Sequence, residues 1–312
     1  RKAELTNILK NNPDALLPCD EIAEMERYGL QWQNIASFQL PQNLKDRLDD
    51  LSTQVISNPF GPDYFYQQTL DNAKGGVVNC DYFPIRVKSI PNGFTSESLL
   101  EYFRLNINTF ISDLNKNKFE PYVVGCGSQY NYCIDDREMF NRSKEDALGS
   151  MLHIQIRSEI ADDYELDGTV MLSDYINKMP PTYLQTFNQF MFTTLHALKD
   201  MEHPVAGNRA FGVFSNPDNA GEYVFFTSGV DRAWTTVDRL VNYLTGNISF
   251  TEADKLWENV QANFVDWIKS LPGGQAEFFP KKKITARPDW EDVKKYLRKE
   301  LDFNTLKQNM GC

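Results

Sequence analysis

FNQFMFTTLHALKDMEHPVAGNRAFGVFSNPDNAGEYVFFTSGVDR, residues 187–232, is the stretch on which the fold turns. Within it Phe190–Leu195, Arg209–Phe214 and Tyr223–Ser228 are rich in aromatic and β-branched residues, a composition that suits a pleated, half-buried strand. Turn-formers part these runs: His203-Pro204 through Gly207-Asn208, then Asn216-Pro217-Asp218-Asn219 with Gly221. The pattern predicts an antiparallel meander whose loops carry the polar chemistry.

Working upstream, Leu152, Ile154 and Ile156 alternate with His153, Gln155 and Arg157, which predicts a strand with one wet face, and Thr169–Leu172 reads as its return. Further back, Ile85, Val87 and Ser89 alternate with Arg86, Lys88 and Ile90. An amphipathic helix follows, opened by Ser96 and striped by Leu99, Leu100, Phe103, Ile107 and Phe110. Residues 115–148 have no clean period, and a loop of that length inside a domain is usually functional or mobile. Downstream, Val237–Leu244 reads as a helix, and a second carries Ala253, Leu256, Trp257, Val260 and Phe264 on one face. Trp290, Val293 and Leu297 belong to a third. The first part of the chain is helical segments joined by proline-containing turns. These readings give an N-terminal helical cap, residues 1–75, followed by an α+β domain, residues 76–312. Its core is an antiparallel meander sheet of about five or six strands with helices packed on one face.

Composition narrows the function. The chain has 312 residues, 32 basic against 43 acidic side chains and a net charge of -11. A surplus of carboxylates disfavours binding to nucleic acid or an anionic membrane, because both rest on neutralising phosphates. No apolar run reaches the ~20 residues of a membrane span, and Arg1-Lys2-Ala3-Glu4 does not read as a signal peptide. Cys19, Cys80, Cys126, Cys133 and Cys312 are too scattered for a disulfide scaffold. Cys126 and Cys133 are close enough for a local bridge, but spacing alone does not set Cβ geometry, and the reading favours free thiols.

The main polar constellation is His203, Asn208, Arg209, Asp231 and Arg232. In an antiparallel pair the loop before Arg209 and the residues leaving the partner strand at Asp231 and Arg232 meet at one end. There His203 and Asp231 are candidate acid–base groups, while Asn208, Arg209 and Arg232 are candidate ligands for an anionic group. The bland reading has Asp231 capping a helix and pairing with an arginine to tie strand to helix. His153 and His196 read as structural. No Gly-x-Ser-x-Gly, Walker or His-Glu-x-x-His motif is present in the sequence.

A second candidate is DYELDGTVMLSD, residues 163–174. It fits a calcium-loop template with Asp163, Glu165, Asp167 and Asp174 at ligand positions 1, 3, 5 and 12 and Gly168 at the turn. Asp167-Gly168 is equally a hairpin turn signal, and the flanks read as strands where the template needs helices. The reading therefore favours an acidic hairpin, with no cofactor beyond the calcium option.

Four segments also carry a resemblance: Pro18-Cys19-Asp20 with Trp32-Gln33; Asp81-Tyr82-Phe83-Pro84 leading to Leu99–Arg104; His203–Arg209 with Phe226–Arg232; and Ala253–Trp257 with Arg287-Pro288-Asp289-Trp290. In these the chain resembles a family of uncharacterised proteins of Bacteroidota, some carried beside toxin-delivery or other secretion loci. That resemblance implies a bacterial source and a protein exported or delivered from the cell, with a secretion-system partner, and assigns no catalytic residue. The leading expectation is an exported effector or ligand-binding protein for a small-molecule or anionic ligand. The alternatives are a hydrolase or transferase acting on an anionic substrate, and a structural or interaction module.

Overall fold

The computed structural model describes residues 18–55, 64–111, 117–157, 165–177, 187–234, 248–278 and 283–312. In chain order the elements are α1 (Pro18–Ala36), α2 (Gln42–Val55), β1 (Tyr66–Gln67), β2 (Asn79–Ser89), α3 (Ser96–Leu105), β3 (Lys118–Pro121), β4 (Val123–Val124) and β5 (Ile134–Asp135). There follow α4 (Arg137–Phe140), β6 (Met151–Arg157), β7 (Glu165–Asn177), β8 (Phe187–His196), β9 (Val205–Ser215) and β10 (Tyr223–Ala233). The last elements are α5 (Ile248–Ser270), β11 (Gln275–Phe278), β12 (Ile284–Ala286), α6 (Trp290–Leu297) and α7 (Phe303–Met310). The helix predicted over Val237–Leu244 lies outside the described residues.

The fold is α+β with a large antiparallel sheet, as its strand composition predicts. The sheet has 10 strands rather than five or six, in the order β11-β2-β10-β9-β8-β7-β6-β3. The extra strands are short pieces at the edges. β12 takes over from β11 along β2, and β1 pairs β8 at Tyr66↔His196, beyond the last β9 partner at Thr193↔Asn208. Pieces of two to four residues are too short to show a period of two, so only pairing across the sheet defines them.

Helices cover both faces, not one. On the front, Phe83, Ile85, Phe190, Phe211 and Val213 pack with Leu99 and Phe103 of α3 and Val260 and Phe264 of α5. On the back, Cys80, Tyr82, Ala210 and Val230 meet Ile22, Met25 and Trp32 of α1 and Trp290, Val293 and Leu297 of α6. A third cluster seats Leu44, Leu48 and Leu51 of α2 on Met151, Met171 and Leu195. Most of Tyr223–Ala233 is buried whichever way its side chains point, which demands cover on each side. Each large side chain buried in these layers contributes roughly 1.5–3 kcal/mol, which offsets the entropy of ordering the layers.

Local details correct the sequence reading at several places. The N-cap of α3 is Thr95, one residue before Ser96, and its side chain completes a capping box with Ser98. Asp167-Gly168 is not a turn: Gly168 sits inside β7, paired with Ile154 of β6. Cys126 and Cys133 are bridged, contrary to the free-thiol reading, because pairing of β4 with β5 brings their Cα atoms to 4.3 Å. A second disulfide joins Cys19 of α1 to Cys312 just past α7, across 293 positions, and Cys80 is a buried free thiol.

Candidate functional site

At one end of the front face the sheet and α5 do not close, and a cavity of about 140 Å3 remains. Its walls are mostly apolar. Phe119, Ile154, Val170 and Phe192 come from β3, β6, β7 and β8, while Phe250, Ala253 and Trp257 of α5 form the roof. The polar end is built from Thr194, His203, Arg209 and Asp231. Their meeting follows from register. Asp231 pairs with Gly207 across β9–β10, and Arg209 pairs with Gly229, so Arg209 and Asp231 sit on one face two steps apart.

Arg209 is paired with a carboxylate. Its two terminal nitrogens donate to the carboxylate of Asp81 at 2.9 and 2.6 Å, and Nη1 also reaches Thr227 Oγ1 at 3.3 Å. The guanidinium lies 4.4 Å over the ring of Trp257. Gly229 makes room for it, because a Cβ there would fall 2.3 Å from Arg209 Nη2. Asp81 is further held by the amide of Gly229 at 2.8 Å and by Asn79 Nδ2 at 2.9 Å. A bidentate pair with every acceptor used is a neutral unit, and little of its cationic field is left for a ligand.

Asp231 is less well served. Asn79 Nδ2 donates to its Oδ2 at 3.4 Å, Arg209 Nη2 lies at 3.7 Å, and Oδ1 accepts no hydrogen bond among the described residues. Burial pushes its carboxyl up to about 7 against the pull of Arg209. The same neighbourhood holds Arg287, whose Nη2 donates to Asp254 Oδ2 at 2.6 Å and whose amide donates to Glu21 at 2.9 Å. Burial raises Glu21 to about 7 and Asp254 to about 6, and the buried Asp254 Oδ1 has no donor among the described residues. Four carboxyls, Glu21, Asp81, Asp231 and Asp254, share two guanidiniums, Arg209 and Arg287.

His203 is clamped by Gln68, which accepts from its amide at 2.6 Å and donates to its carbonyl at 3.0 Å. Nδ1 lies 2.8 Å from the Val205 carbonyl and 3.2 Å from the Val205 amide. The shorter contact assigns the proton to Nδ1, leaving Nε2 as a lone-pair acceptor with no partner among the described residues. Burial holds the ring well below the ordinary histidine value, at about 4, so it is neutral. The ring lies against Gly168, where a Cβ would come within 2.2 Å of it.

The structure thus brings His203, Arg209 and Asp231 together and sends Asn208 and Arg232 elsewhere. Strand alternation turns the latter two to the back. The side chain of Asn208 donates to Ile35 O at 2.8 Å and accepts from Thr193 at 2.7 Å. Arg232 donates to the carbonyls of Leu70 and Gly75 and stacks over Trp290 at 4.4 Å. Arg232 does not line the cavity, and Asn208 lines it with its amide committed to Ile35 and Thr193. The error came from reading 203–208 as a loop: Val205–Asn208 belong to β9, where neighbours face opposite ways.

Of the calcium-loop residues, Asp163 lies outside the described residues. Glu165, Asp167 and Asp174 stand on one continuous strand, the last two spread over roughly 20 Å of backbone. An extended strand does not wrap them round one ion. Among the described residues no group of three His, Cys, Asp or Glu side chains is placed to hold a metal. His153 Nδ1 lies 2.9 Å from Asp200 Oδ1 and His196 Nδ1 lies 3.1 Å from the Tyr64 carbonyl.

Asn79, Asp81, Asp254, Trp257 and Arg287 were not singled out as site residues. A usable signal existed for the first two. In β2 they occupy the same face as Phe83 and Ile85, where an apolar residue is expected, and a polar residue at a core position needs a buried partner.

No family model matches the sequence. No curated protein matches it. Among solved structures the fold is similar to the crystal structure of human STARD10, with 9% identity, coverage of 75% of this chain and 85% of that chain, and a TM-score of 0.30. A likeness of that degree carries no functional argument.

Proposed function

We propose that the protein binds a small molecule in the cavity between the front of the sheet and α5. The observation that carries this reading is the convergence of His203 and Asp231, each with an unused acceptor, on one mostly apolar cavity. Native interiors are close-packed, so a cavity of this size with polar groups gathered at one end is the pattern of a binding site. The cavity is small: an engineered apolar cavity of about 150 Å3 takes one benzene. A single ring with a short tail is therefore the scale of the occupant.

The protein is also, on this reading, exported or delivered from a bacterial cell, with a secretion-system partner. The resemblance to Bacteroidota proteins near secretion loci supports that. So do the two disulfides, Cys19–Cys312 and Cys126–Cys133, since such bonds persist in oxidising compartments. Hydrolysis or transfer on an anionic substrate is less well supported, because the arginine that would hold the anion is already paired with Asp81.

Titration with toluene, followed by thermal melting, tests the binding reading. Saturable stabilisation is expected, since a ligand bound only by the folded state raises the midpoint. Ala253→Phe, which fills the cavity from its half-buried roof, should remove that response. No stabilisation of the unaltered protein by toluene or by other single-ring compounds would count against it.

A further inference from the structure

The chemistry of the polar end specifies more than a small apolar occupant. This step rests on the binding reading above. We infer that the cavity selects a single-ring amine, with its protonated nitrogen held by Asp231 Oδ1 and His203 Nε2. Three observations lead there. Above about pH 7, where Asp231 is ionised, Asp231 Oδ1 and His203 Nε2, neither with a partner among the described residues, are both acceptors, so they complement a donor-rich head and repel a carboxylate or phosphate. The guanidinium at that end is already neutralised by Asp81 and covered on one face by Trp257. The surrounding cluster has more carboxyls than guanidiniums, and one of its buried oxygens, Asp254 Oδ1, has no donor among the described residues. A cation entering such a group restores balance, whereas an anion deepens the deficit.

The apolar remainder of the ligand fits the other end. Phe119, Ile154, Val170 and Phe192 offer no polar group, and the aromatic rings at the roof complete the enclosure. An ammonium within reach of Asp231 would sit on the same face as Arg209, where the 3.7 Å contact of Arg209 with Asp231 leaves Oδ1 free to accept. His203, neutral with its proton on Nδ1, accepts a second hydrogen bond from the same head.

Four single-ring probes discriminate: toluene, phenethylamine, phenethyl alcohol and phenylacetate, titrated into the intact protein by calorimetry. The amine is expected to bind at least tenfold more tightly than the alcohol, and phenylacetate more weakly than either. Asp231→Asn should abolish the amine preference, bringing the amine and alcohol affinities within about twofold of each other. Equal affinity for amine and alcohol, tighter binding of phenylacetate, or an amine preference that survives in Asp231→Asn would each overturn the inference while the cavity reading stands. Failure of all four, toluene included, would remove both. A circular dichroism melt of Asp231→Asn confirms that any change in preference belongs to a folded protein.

Discussion

Arg209 and Arg232 make an instructive pair. Each is buried or nearly so, and each stacks 4.4 Å over a tryptophan, Trp257 in front and Trp290 behind. They differ in what neutralises them. Behind the sheet, Arg232 is bonded to backbone carbonyls of Leu70 and Gly75 and ties the 70–75 segment to β10. Its donors are consumed by the chain's own turns, and Trp290 of α6 lies against its guanidinium. In front, Arg209 meets a carboxylate inside an excess of carboxylates, beside an open space. Polar side chains buried behind are structural bolts. Those in front leave acceptors over, and that surplus, rather than the presence of charge, marks the candidate site.

The largest effect should come from breaking the front pair. Asp81→Ala removes both bonds to Arg209 and the acceptor for the Gly229 amide, leaving a buried guanidinium uncompensated. A loss of about 4 kcal/mol is expected, read as a lower urea midpoint. Arg232→Ala should come next, at about 3 kcal/mol, because it leaves two buried carbonyls without their charged donor and removes the stacking on Trp290. Its signature differs: proteolysis near Lys74 should accelerate while toluene affinity stays unchanged. If toluene binding falls as well, the two faces are coupled and the contrast drawn here fails.

The disulfide behind the sheet sharpens the same contrast. Replacing Cys19 and Cys312 by Ser releases α7 from α1 and should cost about 2–3 kcal/mol, less than the chain-entropy limit, since α1 and α7 still pack through Leu306. Guanidinium unfolding of the variant beside the unaltered protein, both without reductant, measures it. No loss of probe binding is expected, because neither helix contributes to the cavity wall.

How much of this was legible beforehand follows from the range of each interaction. Alternation within Phe190–Leu195, Arg209–Phe214 and Tyr223–Ser228 is local, and it located β8, β9 and β10. Antiparallel geometry then placed His203 near Asp231, some twenty-eight positions apart, at one end. The same rule, carried back through Val205–Asn208, would have turned Asn208 away from Arg209. It was not applied because Gly207-Asn208 has turn composition, and tertiary pairing with β10 overrode it. The core-facing place of Asp81 signals a need for some partner, but that the partner is Arg209, that Arg287 pairs with Asp254 and that Cys312 pairs with Cys19 are long-range events with no local signal. Edge strands such as β1 and β12 are invisible for the same reason.

The smallest effect is the most diagnostic of a surplus of carboxyls. Glu21 and Asp231, each near 7, and Asp254, near 6, hold their protons more tightly folded than unfolded. Their stabilising contribution is fully present below the unfolded carboxylate values, near pH 4, and is lost as pH rises to about 7. His203 runs the other way: folded at about 4 and unfolded near 6.5, it destabilises the protein as pH falls through that window. Three carboxyls against one imidazole decide the sign. The ion-paired carboxylates with lowered values, such as Asp135 and Glu222, act only below about pH 4.5. The melting temperature should therefore be higher at about pH 5.5 than at about pH 7.5, opposite to a protein held by ordinary surface carboxylates. Asp231→Asn removes one of the three. It should stabilise by about 1 kcal/mol at the higher pH, change little at the lower, and shrink the difference between them. A variant that is destabilised equally at both pH values would mean that Asp231 is paired as securely as Arg232, and that the front of the sheet holds no surplus after all.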